Sequence, residues 1–234
     1  MKYPIVILHG WRLSGSRYGA LQEIFEKKGY TVYAPDLPGF GNEKVTQDIT
    51  DLQSYTSFVK KFFHDHNINK AIIIGHSFGG RIAAKFTALY PKMVEKLILT
   101  GAPLIKQPLA PKKKIIVYLA KIGKGIFQLI HIDYKNMRKI VYFLLGEWDY
   151  YKSNNMREIF LNIIKEDVAP NLPFIRTPTF LLWGVNDTFV SKKIGKEIAK
   201  KMPHATYKEI PSATHKLPYE QPEIFAKEVL RFIT

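Results

Sequence analysis

Six short runs of β-branched and other apolar residues recur along the chain: Ile5 to Leu8, Thr31 to Ala34, Ala71 to Ile74, Lys96 to Leu99, Thr179 to Trp183 and Thr206 to Ile210. Between them the apolar positions change to helical spacing. Leu21, Ile24 and Phe25 mark one stripe, Phe58, Val59, Phe62 and Phe63 a second, and Phe225, Val229 and Phe232 a terminal helix. Strands that alternate with helices need both faces of a parallel sheet covered. The pattern therefore predicts an α/β fold, a mostly parallel six-stranded sheet flanked by helices.

One segment breaks the alternation. From Leu104 to Leu172 no strand pattern occurs, only three helical ones around residues 112 to 130, 134 to 145 and 153 to 167. GAP at 101 to 103 and the proline-rich APNLPFIRTP at 169 to 178 bound it. The expected organisation is a core domain over 1–103 and 173–234, with a helical cap, or lid, inserted over 104–172.

Composition narrows the chemistry. With 234 residues the chain suffices for one large α/β domain carrying an inserted subdomain. It has no cysteine, which excludes disulfides and thiolate metal sites. The seven histidines are scattered without a carboxylate at ligand spacing, so no metal site is expected. The opening MKYPIVILHG is too short in apolar residues for a signal peptide, and no run of transmembrane length occurs. A cytoplasmic location is the default expectation.

The most informative stretch is IIIGHSFGG at 72 to 80. A hydrophobic strand, then G-x-S-x-G, then a helix opening with small residues (Gly79, Gly80, Ala83, Ala84) is a nucleophile elbow. Bulky residues at 75 and 79 would collide with so sharp a turn or with the neighbouring strand. The turn also sets Ser77 at a helix N-terminus, where N–H groups stabilise developing negative charge. A serine nucleophile needs a base, and the base needs a third group to hold its tautomer. PTFLLWGVND ends a strand and presents Asp187; IPSATHKLPYEQPE leaves the last strand and presents His215, in the chain order Ser, Asp, His. The expected oxyanion donors are the backbone N–H of Phe78 and, in ILHGWRLSG, that of Trp11. His9 is expected to brace that loop and Asp36 to organise its own. His64, His66, His131 and His204 are expected to be structural or solvated.

Together, the HGW loop, DLPGFG at 36 to 41, GHSFGG, GAP, PTFLLWGVND and the final SATH resemble the α/β-hydrolase fold family, particularly its small single-domain serine esterases. The resemblance covers nearly the whole chain. It implies a catalytic triad of Ser77, Asp187 and His215, no cofactor, and a helical cap after the fourth strand. Only eight residues precede the HG loop, where family members usually have two antiparallel strands, so the sheet is expected to be the parallel core alone. Serine at the elbow argues against the epoxide and carbon–halogen chemistry of relatives with an aspartate nucleophile.

The expected function is hydrolysis of carboxylic esters of small to medium hydrophobic substrates through an acyl-enzyme. A lactonase, a C–C bond hydrolase, an aminopeptidase and a non-catalytic ligand-binding protein on this fold stay open. The formal net charge is +15, and residues 104 to 139 hold nine Lys or Arg against Asp133 alone. Lysines that simply face water are the plain reading. The sharper ones are an anionic membrane surface and an acidic carrier protein docking on the basic cap. Nucleic acid is the weakest reading, because no binding motif accompanies the charge.

Overall fold

The computed structural model describes residues 2–106 and 156–234. The chain forms two compact units, Met1–Lys106 with Lys165–Thr234, and Gln107–Ile164. In the first, six strands form one sheet: β1 (Ile5–Leu8), β2 (Val32–Tyr33), β3 (Ala71–His76), β4 (Val94–Thr100), β5 (Thr179–Gly184) and β6 (Ala205–Ile210). Their spatial order is β2-β1-β3-β4-β5-β6, and every neighbouring pair is parallel. The expected edge strand at 31–34 shortens to two residues, which pair with Ile5 and Val6 of β1.

The helices of this unit are α1 (Gly19–Lys27), α2 (Leu52–Asp65), α3 (Phe78–Leu89), α5 (Lys192–Lys201), α6 (Leu217–Glu220) and α7 (Pro222–Ile233). Between α3 and α5 in the chain lies α4 (Arg157–Lys165), inside the third helical pattern read from the sequence. The two other patterns, at 112–130 and 134–145, lie outside the described residues.

Alternation along the strands sorts the core into two layers. Ile5, Ile7, Ile72, Ile74, Ile98, Phe180 and Leu182 join Leu21 and Phe25 of α1 and Phe225 and Val229 of α7 on one face. Their neighbours Val6, Leu8, Ile73, Leu97, Leu99, Leu181 and Trp183, also buried, point to the opposite face. There α3 packs on β1, β3 and β4, α2 packs on α3, and α5 packs on β5 and β6. Each fully buried side chain of this size contributes about 1.5–3 kcal/mol. Helix α2 begins at a capping box: Ser54 N–H donates to Asp51 Oδ1 (2.8 Å) and Asp51 N–H donates to Ser54 Oγ (3.1 Å).

The sequence pattern sets the edges of the insertion at 104 and 172, whereas Leu104, Val168 and Leu172 are buried in the structure. The buried side chain of Arg81 on α3 donates to the carbonyls of both Pro103 and Glu166, and Lys85 Nζ donates to Glu166 Oε1 (2.7 Å). One helix thus holds the chain where it leaves β4 and where it returns. No helix among the described residues is long and apolar enough to cross a membrane.

Candidate active site

The order of the sheet fixes where a site can open. From β1 the chain runs to β2 on one side, then returns to β3 on the other, so its direction across the sheet reverses between β1 and β3. In open parallel sheets the crevice at the carboxyl ends of such strands binds ligands. The loop after β1 carries Gly10 and Trp11, and β3 ends at His76, immediately before Ser77.

Ser77 has φ 52° and ψ −114°, a left-handed conformation that costs a non-glycine residue about 1–3 kcal/mol. Its surroundings hold it there. Ser77 N–H donates to Thr100 O at the end of β4, Gly79 N–H to His9 O after β1, and Gly80 N–H to Ser77 O, each at 3.0 Å. A Cβ on Gly75 would lie 2.7 Å from Gly80 Cα and 2.8 Å from Ala83 Cβ; one on Gly79 would lie 2.1 Å from Leu8 O. Position 75 is therefore small because the next helix folds back over it, and position 79 because that helix rests on the end of β1. Phe78 is the first residue of α3, so its N–H is one of the donors that a helix start leaves without an intrahelical partner.

Asp187 and His215 come from two loops that are tied together: Val185 N–H donates to Ile210 O (3.0 Å) and Asn186 N–H to Ala213 O (2.8 Å). The Asp187 side chain is 1% exposed and its oxygens divide their work. Oδ1 accepts from Phe189 N–H (2.9 Å) and Val190 N–H (2.8 Å), while Oδ2 accepts from His215 Nδ1 at 2.8 Å. A carboxylate only accepts, so Nδ1 carries a hydrogen, and in the neutral ring Nε2 is then the nitrogen with the lone pair. Gly101, with φ +56°, allows this approach: a Cβ there would lie 2.7 Å from both His215 Cε1 and Nδ1. The hydrogen bonds of His215 run to Asp187 and, through its carbonyl, to His76; none joins it to Ser77 Oγ. Such contacts often tighten only when substrate is bound.

The loop after β1 is built as a turn, closed by Leu13 N–H to Gly10 O (3.1 Å), with Arg12 at φ 60°. The Trp11 ring meets Phe78 edge-on at 5.1 Å and Phe40 at 4.8 Å, which sets the turn against the elbow. His9 braces it, as expected. Its Nδ1 lies 2.8 Å from Gly10 O, and its Nε2 accepts from Leu37 N–H at 2.8 Å, the pattern of a neutral ring; burial holds its pKa below the usual value. Asp36 organises its loop by accepting from Gly15 N–H (2.7 Å) and Asn42 N–H (2.8 Å). His64, His66 and His204 are exposed, His66 stacked on Phe62; His131 lies outside the described residues.

The structure adds residues that periodicity left unnoticed. His76 is buried with its ring 4.9 Å from that of His215, hydrogen-bonded to Tyr18 and to the His215 carbonyl. Phe189, 68% exposed, lies 5.1 Å from the His215 ring. A histidine closing an otherwise wholly apolar buried strand was the one available signal for His76. Nothing local marked Tyr18.

The family model described as serine aminopeptidase, S33, matches residues 1–222. The chain belongs to this hydrolase family. It is 25% identical over 243 residues to a putative esterase/lipase 2 of Mycoplasma pneumoniae, covering 99% of this chain and 89% of that protein. It is 28% identical over 225 residues to a 2-hydroxy-6-oxo-6-phenylhexa-2,4-dienoate hydrolase of Burkholderia cepacia, covering 89% and 79%. Among solved structures, an esterase from Thermogutta terrifontis superposes with a TM-score of 0.74 at 22% identity, covering 100% of this chain and 91% of that one. That likeness shows the fold, and the fold of this S33-family chain is that of the α/β-hydrolases.

Proposed function

We propose that this hydrolase cleaves carboxylic esters of small to medium hydrophobic substrates through an acyl-enzyme, with Ser77, His215 and Asp187 as its triad. The observation that carries the reading is the buried Asp187, satisfied by two backbone N–H groups and holding His215 by Nδ1, together with a serine on a strained elbow. Ser77 Oγ attacks the carbonyl carbon as its proton passes to His215 Nε2. The imidazolium is stabilised by Asp187, and the oxyanion by the N–H groups of Phe78 and Trp11. Collapse breaks the ester bond, and the departing alkoxide takes the proton back from Nε2. Water then attacks the acyl-enzyme with His215 again as base, releasing the acid and restoring Ser77.

Esters are favoured over other acyl substrates by the esterase names among the relatives, and a hydrophobic group by the aromatic surroundings: Trp11, Phe40 and Phe78 pack together and Phe189 flanks His215. The description of the family as a serine aminopeptidase makes amides the second class to test. Turnover of a short-chain p-nitrophenyl ester should fall by several orders of magnitude in Ser77→Ala. Equal activity in that variant would remove Ser77 as nucleophile, and no turnover of any ester, lactone or amide by the wild type would favour a ligand-binding protein. Docking on anionic membrane or an acidic carrier through the basic residues of 104–139 is a separate proposal. Equal sedimentation with neutral and anionic vesicles at low salt would remove the membrane form.

A further inference from the structure

Resting on the reading of His215 as the general base, we propose that Tyr18 and His76 are positioning residues for the reaction. They form a buried hydrogen-bond chain that fixes the loop of the oxyanion donor Trp11 relative to the loop of the base. The chain has three links. Gly10 N–H donates to Tyr18 Oη (3.3 Å), Tyr18 Oη lies 2.7 Å from His76 Nδ1, and His76 Nε2 lies 2.9 Å from the His215 carbonyl.

Its ends settle its direction. A backbone N–H only donates and a carbonyl only accepts, so Nε2 must carry the hydrogen that reaches His215. A neutral ring then leaves Nδ1 as an acceptor, Tyr18 O–H donates to it, and the Tyr18 lone pairs remain for Gly10 N–H. Every donor meets an acceptor in one orientation only. Neutrality follows from the surroundings: His76 is 1% exposed, its titratable neighbours are Tyr18, Tyr219, His215 and His9, and burial drives its pKa down to about 3. Tyr18 is fully buried, and burial raises its pKa, so it keeps its proton.

The placement of the ends sets this apart from ordinary core bonding. One end is the residue before Trp11, and the other is the main chain of His215 itself. Gly10 sits so close to the middle of the chain that a Cβ there would lie 3.1 Å from His76 Nδ1. The rings of Tyr18 and His76 also pack edge-on against Tyr219 at 5.8 and 5.9 Å, which leaves them little freedom to tilt. Attack on a carbonyl needs the base and the oxyanion donors in register at once, and a displacement of about 1 Å costs roughly 100-fold in rate.

The test is a cycle of Tyr18→Phe, His76→Leu and the double variant, with Ser77→Ala as control, assayed on p-nitrophenyl acetate with melting temperatures recorded. Tyr18→Phe removes one oxygen and should lower kcat about 10- to 100-fold, with KM within about threefold. His76→Leu should do the same, and the double variant should be no slower than the slower single variant, because a broken chain cannot be broken again. Tyr18→Phe retaining kcat within about threefold of wild type while Ser77→Ala is inactive would overturn the inference alone. Losses that multiply in the double variant would also overturn it, since they would report two independent effects. Ser77→Ala as active as wild type would overturn it together with the reading beneath it. If His76→Leu does not fold, kcat and KM of Tyr18→Phe decide the question.

Discussion

Replacing Asp187 with asparagine changes almost no volume, yet it reverses the polarity of one contact. The carboxylate now accepts three hydrogen bonds, from Phe189 N–H and Val190 N–H on Oδ1 and from His215 Nδ1 on Oδ2. An amide has one oxygen and one NH2. With the oxygen toward the two backbone donors, the NH2 faces His215 Nδ1, which must then accept. The ring proton moves to Nε2, the atom that in the proposed mechanism receives the proton of Ser77. Turning the amide around restores Nδ1–H but points NH2 at the N–H groups of Phe189 and Val190, and the buried one, that of Val190, is left unsatisfied at about 1–3 kcal/mol. The unproductive orientation is therefore favoured by about 1–3 kcal/mol, which leaves roughly one molecule in 5 to one in 150 with a competent base. Loss of the charge that stabilises the imidazolium lowers the rate further, so kcat should fall by about 10³ to 10⁴ with little change in melting temperature. Steady-state hydrolysis of a p-nitrophenyl ester across a range of concentrations separates kcat from KM. A variant that keeps more than about a tenth of the wild-type kcat would refute the tautomer argument and with it the role of Asp187.

Two further outcomes follow from the same geometry. Gly101→Ala adds a Cβ 2.7 Å from the His215 ring at φ +56°; it should lower kcat more than it raises KM and reduce the melting temperature, and an unaffected kcat would show that the ring has room to shift. Burial holds His76 at about 3 and lowers His9, so between pH 7 and 5 the unfolded chain binds more protons than the folded one. Stability should fall with acidification by about 2 kcal/mol from His76 alone, with His9 acting in the same direction, and urea midpoints unchanged between these pH values would contradict it.

Much of the chain was legible from residue order alone. Runs such as IVIL at 5 to 8 and AIII at 71 to 74 mark strands because a sheet covered on both faces buries every side chain. Gly75 and Gly79 mark the elbow because two contacts, one with the following helix and one with the end of β1, leave no space for a Cβ. Ser77, Asp187 and His215 could be nominated because a parallel sheet places successive strand ends on one edge, and each of the three follows such an end. Tertiary packing alone made the choices that involve distance and polarity. The division of Asp187 between backbone and imidazole, the close fit of Gly101 under His215, and the chain from Gly10 through Tyr18 and His76 join residues up to 139 positions apart. Periodicity reports which face a side chain occupies, but hydrogen-bond direction depends on which donor meets which acceptor, and that exists only once the loops are folded together.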